Sequence, residues 1–84
     1  MKVSKVKIYT KMLCPYCIKA KMLLKFLKVN FEEVTIKTQK DFDNLVKQTG
    51  LMTVPQIFIN DELIGGCDDL FKLKQQNKLK KLLK

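Results

Sequence analysis

Two cysteines separated by two residues, Cys14-Pro15-Tyr16-Cys17, stand at the junction of an alternating stretch and a helical one. From Val3 to Thr10 the chain alternates, with Val6, Ile8 and Thr10 on one side and Lys5, Lys7 and Tyr9 on the other, which predicts a strand. Lys11-Met12-Leu13 connects it to the cysteine pair, and Pro15 suits the first turn of a helix, where its missing N–H is no loss. Ala20, Leu23, Leu24 and Leu27 then recur at helical spacing, with Lys21, Lys25 and Lys28 as the opposite stripe. A C-x-x-C pair at a strand-to-helix junction points to redox or metal chemistry.

The rest of the chain continues the same plan. Asn30 is expected to end the first helix in a left-handed conformation. Phe31–Ile36 predicts a second strand, and Thr38 with Asp41 resembles a capping box that opens a helix carrying Phe42, Leu45 and Val46 on one face, closed by Gly50. Gln56–Ile59 and Glu62–Ile64 predict two further strands, joined by a two-residue hairpin at Asn60-Asp61. After Gly65-Gly66 a last helix starts near Cys67, with Asp68 and Asp69 complementing its positive end, and Leu70, Leu73, Leu79, Leu82 and Leu83 continue its spacing to the C-terminus. The order β-α-β-α-β-β-α implies a parallel first pair with a right-handed crossover, then a hairpin. The expected fold is α/β: a mixed four-stranded sheet flanked by three helices, the thioredoxin-like plan, forming one domain over residues 1–84.

Composition narrows the chemistry. The chain has no His, which excludes Ser–His and Cys–His catalytic pairs and every His-containing zinc site. Its longest uncharged run, Gln48 to Asn60, is broken by Gly50 and Pro55 and falls short of a membrane span. The N-terminus shows no signal-peptide core, so a cytoplasmic location and no membrane partner are expected. The net charge of +9 fits either an anionic partner or a Lys-biased, soluble surface. All 17 cations are Lys, and the absence of Arg favours the second reading, with no nucleic-acid partner.

Cys14 at a helix N-terminus would receive unpaired backbone N–H groups and the positive end of the helix dipole, which favour the reactive thiolate. Lys11 and Lys19 add positive charge nearby in sequence. Cys17, one turn later, can resolve a mixed disulfide formed at Cys14. The competing reading of the pair is half a zinc site, but three cysteines and no His leave tetrahedral closure short of a ligand, so no metal is expected. Pro55 can simply start its strand in trans; in cis it would leave the Val54 N–H and C=O outward as an open edge for an extended peptide. Gly65-Gly66-Cys67-Asp68-Asp69 reads as an ordinary helix cap, or as N–H groups that meet a carboxylate with acidic residues that meet an ammonium. Cys67 by itself reads as a small buried hydrophobe.

Taken together, Tyr9-Thr10-Lys11, Cys14-Pro15-Tyr16-Cys17, Thr53-Val54-Pro55-Gln56-Ile57-Phe58-Ile59 and Gly65-Gly66-Cys67-Asp68-Asp69-Leu70 resemble a glutaredoxin in order and spacing, over essentially the whole chain. The nearest resemblance is to the short bacterial dithiol members of the glutaredoxin 3 class. It implies a glutathione-dependent thiol–disulfide oxidoreductase with Cys14 as nucleophile and Cys17 as its partner in a redox-active disulfide. It also implies a cis Pro55 and a glutathione groove made by Lys11, Tyr16, Thr53, Val54, Pro55, Gly66, Cys67 and Asp68. Lys11 would meet the glycyl carboxylate, and Cys67 and Asp68 the γ-glutamyl end. Glutathione is then the reducing co-substrate, with no tightly bound cofactor. The implied partners are glutathionylated or disulfide-bonded proteins, ribonucleotide reductase among them, met by a monomer. Leu51 and Met52 depart from relatives that carry a basic residue before Thr53. Two other readings of the same residues are a relative reduced by thioredoxin reductase and a module that binds an iron–sulfur cluster through Cys14.

Overall fold

The structure is a computed structural model that describes residues 5–82. Four strands and four helices follow one another: β1 (Val6–Thr10), α1 (Pro15–Phe26), β2 (Glu32–Thr35), α2 (Gln39–Thr49), β3 (Gln56–Ile59), β4 (Glu62–Gly65), α3 (Cys67–Gln75) and α4 (Leu79–Leu82). The sheet order is β2-β1-β3-β4, with β1 parallel to β2 and antiparallel to β3, and β3 antiparallel to β4. Val3 and Leu83, expected in the first strand and last helix, lie outside the described residues.

Alternation decides which face of the sheet is dry. Val6 and Ile8 stand opposite Ile59 and Ile57, and all four are buried. Ala20, Leu23 and Leu24 from α1, with Leu70 and Leu79 from the C-terminal helices, complete that core. The opposite face carries Tyr9, Gln56 and Phe58; the Tyr9 and Phe58 rings meet edge-to-face at 5.7 Å. The α2 helix lies on this side, where its buried Leu45 shares a cleft with Tyr9, Val34 and Ile36. Its start is fixed by Thr38, whose hydroxyl accepts from the Asp41 N–H at 3.1 Å, and its end by Gly50 at φ +78°.

The hairpin forms at Asn60-Asp61, both in left-handed conformations (φ +52° and +67°), as a two-residue turn of this hand requires. Asn60 is also tied to Lys5 through two hydrogen bonds of 2.7 and 2.9 Å, one from each N–H.

Two helix ends differ from the sequence expectation. The residue that closes α1 in a left-handed conformation is Lys28 (φ +58°) in place of Asn30. The Val29 N–H then reaches the Leu24 carbonyl and the Lys28 N–H the Lys25 carbonyl, a Schellman end. The turn falls there because it lets Val29 pack on the core. The C-terminal helix is likewise divided: Asn77 (φ +59°) ends α3 with the same pair of bonds, Lys78 N–H to Leu73 and Asn77 N–H to Lys74, before α4 begins. The sheet is therefore accompanied by four helices among the described residues, not three.

Candidate active site

Cys14 is the N-cap of α1, with Pro15 at the first helical position. Its extended backbone turns the sulfur back over the helix start, where Sγ accepts from the Cys17 N–H at 3.3 Å. The Cys14 thiol also faces the Val54 carbonyl at 3.9 Å. A sulfur in this position meets a backbone donor and the N-terminal end of the helix. Cys14 is partly exposed, whereas Cys17, on the inner side of α1, is only 1% exposed. Burial, reinforced by the contact with Cys14, pushes the Cys17 thiol up to about 12. All three cysteines are free thiols in this structure. At neutral pH Cys17 is thus a proton-bearing thiol beside the Cys14 sulfur.

A groove of about 420 Å³ opens beside this pair, lined by Tyr16, Leu51, Thr53, Val54, Pro55, Gly66, Cys67, Asp68 and Asp69. Seven of the candidate residues therefore meet on one surface: Tyr16 from α1, Thr53, Val54 and Pro55 from the loop before β3, and Gly66, Cys67 and Asp68 from the start of α3. The Val54–Pro55 peptide is cis. Gly65 has φ +125°, a conformation strained for any L side chain, and a Cβ built there would also meet the Asp69 carboxylate, with the carboxyl carbon 2.7 Å away. That close approach lets the Asp69 carboxylate accept from the Gly66 N–H at 2.9 Å, fixing the turn into α3. Leu51 is not among the groove residues that the resemblance implies, and Asp69 takes the helix-cap role that the sequence offers for the Asp68-Asp69 pair. The spacing of Asp69, three residues after Gly66, was the available signal for its capping role.

Lys11 stands apart from the groove lining. Its ammonium lies 3.9 Å from the centroid of the Phe42 ring on α2. Lys19 is 5.9 Å from the Tyr16 ring. Cys67 is buried at the α3 start, and burial raises its thiol above the ordinary range, with the Asp68 carboxylate acting the same way. A second crevice of about 520 Å³ between α1 and α3 shares Tyr16, Cys67 and Asp68 with the groove and adds Met22, Phe26 and Phe71. Among the described residues, no group of three or more Cys, Asp or Glu is placed to hold a metal ion.

Comparison with known proteins decides the family. The family model described as glutaredoxin matches residues 6–64. The chain belongs to the glutaredoxin family. It is 46% identical over 82 residues to glutaredoxin 3 of Escherichia coli strain K12, covering 96% of this chain and 99% of that one. It is 49% identical over 79 residues to glutaredoxin 1 of Rickettsia prowazekii, covering 90% and 83%. Among solved structures, the glutaredoxin of Brucella melitensis superposes with a TM-score of 0.86 at 41% identity, over 98% of this chain and 90% of that one. A buckwheat glutaredoxin–glutathione complex superposes with a TM-score of 0.87 at 28% identity, over 95% and 76%. The thioredoxin-like fold expected from the element order is the one these relatives share.

Proposed function

We propose that this glutaredoxin works as a single domain that reduces glutathione mixed disulfides through Cys14 and protein disulfides through Cys14 and Cys17. The observation that carries this reading is the placement of Cys14 Sγ on the helix N-terminus, 3.3 Å from the Cys17 N–H, beside a groove whose walls come from three separate segments. The buckwheat relative, solved as a complex with glutathione, supports glutathione as the co-substrate.

The steps follow from the two thiols. The Cys14 thiolate attacks the glutathione sulfur of a mixed disulfide; a Cys14–glutathione disulfide forms and the substrate leaves as a thiolate, which takes a proton from solvent. A second glutathione, as its thiolate, attacks that disulfide, releasing oxidised glutathione and restoring the Cys14 thiolate. On a protein disulfide, the Cys14 thiolate attacks one substrate sulfur; a Cys14–substrate disulfide forms and the other substrate sulfur leaves as a thiolate, which takes a proton from solvent. Cys17 then loses its proton and attacks Cys14 Sγ, releasing the second substrate thiol and leaving a Cys14–Cys17 disulfide. Two glutathione molecules supply the two electrons that reopen it.

In the groove, an extended glutathionyl moiety would run along Thr53, Val54 and Pro55 with Tyr16 flanking it. The Gly66–Cys67–Asp68 start of α3 would take its amino-acid end, offering N–H groups to the carboxylate and Asp68 to the ammonium. Lys11 would serve the opposite carboxylate by leaving the Phe42 ring. The reading places the protein in the cytoplasm, where the thiol pool keeps such cysteines reduced, with glutathionylated and disulfide-bonded proteins, ribonucleotide reductase among them, as substrates. Among the described residues, no helix is long and apolar enough to cross a membrane.

The test is turnover of a glutathionylated peptide with glutathione, glutathione reductase and NADPH. Wild type and Cys17→Ser should both turn over, and Cys14→Ser should be silent. Activity in Cys14→Ser would remove Cys14 from its role. Silence of the wild type, with activity on supplying thioredoxin reductase, would replace glutathione as electron donor.

A further inference from the structure

Gln56 is fully buried at the start of β3, in a strand whose other residues are Ile57, Phe58 and Ile59. Its side-chain amide donates both hydrogens backward into the preceding loop: Nε2 lies 2.9 Å from the Leu51 carbonyl and 3.0 Å from the Thr53 carbonyl. Its Oε1 has no hydrogen-bond partner among the described residues. A fully buried amide with an unpaired acceptor carries a desolvation cost at Oε1, which the two hydrogen bonds from Nε2 must offset. What the amide does supply is direction. The carbonyl and the N–H of a trans peptide point opposite ways across its plane. The 53–54 peptide is not among the cis bonds, so fixing the Thr53 carbonyl on Gln56 fixes the Val54 N–H away from it. The same residue, Val54, lines the groove and has its carbonyl 3.9 Å from Cys14 Sγ.

We propose that Gln56 is a positioning residue: through the Thr53 and Leu51 carbonyls it aims the Val54 N–H into the groove as a fixed donor for an extended ligand. The inference rests on the reading that this groove takes the glutathionyl moiety, and it deepens that reading by naming what holds the groove's backbone in place. Gln56 touches neither the reacting sulfurs nor the ligand; its effect is on ligand binding, not on the attack by Cys14.

The test compares wild type with Gln56→Met, which keeps length without donors, and Gln56→Glu, whose carboxylate accepts where the amide donated. KM and kcat for a glutathionylated peptide are read together with hydrogen exchange of the Val54 amide. Loss of one oriented donor should raise KM on the order of tenfold in both variants while kcat stays within about twofold. Gln56→Met should stay folded, because the freed carbonyls can turn to water and the unpaired Oε1 is gone. An unchanged KM in folded Gln56→Met overturns the proposal, as does an equal fall in kcat with KM unmoved. In wild type the Gln56 side-chain amide should exchange slowly, and the Val54 N–H should become protected when glutathione is added. Fast exchange of the Gln56 amide overturns the proposal even if both variants fail to fold. A wild type that neither turns over the peptide nor shows protection at Val54 overturns the glutathione reading instead, and slow Gln56 exchange alongside it leaves the loop anchoring standing.

Discussion

At the scale of single residues, the three cysteines differ by where the chain puts them. Cys14 caps a helix, Cys17 faces the core one turn later, and Cys67 lies buried at the start of another helix. The raised Cys17 thiol has a consequence for stability. Unfolded, such a thiol ionises near 9.0; folded, Cys17 keeps its proton to about 12. Between these values the unfolded chain has released a proton that the folded chain still holds, so stability falls as pH rises through that window. Denaturant unfolding of the fully reduced protein should therefore show a lower midpoint at about pH 10 than at neutrality, with Cys17→Ser losing less and the buried Cys67 thiol supplying the remainder. A wild type and variant with the same pH slope would show that Cys17 is not held as a buried thiol. The Glu33 carboxylate moves the other way: the Thr10 hydroxyl at 2.7 Å and the Lys21 ammonium at 3.0 Å hold it below the usual range, tying α1 to the edge of the sheet.

At the scale of elements, the strands and helix starts were legible because they depend on local signals. Alternation around Val6, Ile8 and Thr10, the Thr38 cap, Pro15 after Cys14 and the Asn60-Asp61 turn each carry their own physics in a few residues. Helix ends were less legible. Asn30 has the better intrinsic tolerance of a left-handed backbone, yet Lys28 adopts it, because the burial of Val29 on the core decides where the chain must turn. Lys28 is therefore a residue in an unfavourable conformation, and Lys28→Gly should stabilise the protein by about 0.5–1 kcal/mol after the entropy cost of glycine. Thermal unfolding checks this; a lower midpoint for the variant would mean that the Lys28 side chain makes a stabilising contact that outweighs its backbone. The site was legible to a similar degree. The cysteine pair, the Thr53-Val54-Pro55 loop and the α3 start were marked by motif, and they line one groove. The inward pairing of Gln56 and the stacking of Lys11 on Phe42 were not, since each depends on residues brought together only by packing.

At the scale of the whole molecule, the chain carries a net charge of +9. Such a charge acts on encounter more than on chemistry. It should raise kcat/KM for an acidic glutathionylated peptide over a basic one, and that ratio should collapse as salt shortens the Debye length from about 30 Å at 0.01 M to about 3 Å at 1 M. A ratio that does not change with salt would assign any peptide preference to contacts, such as those of the exposed Met12, Leu13 and Met52. The proposed function makes Cys14 the sulfur that carries the glutathionyl group. The most direct measurement traps that species. Reduced Cys17→Ser is incubated with oxidised glutathione and its adducts are mapped by mass spectrometry. A single glutathione on Cys14, removed by added reduced glutathione, is the predicted result; an adduct on Cys67 with Cys14 unmodified would contradict it.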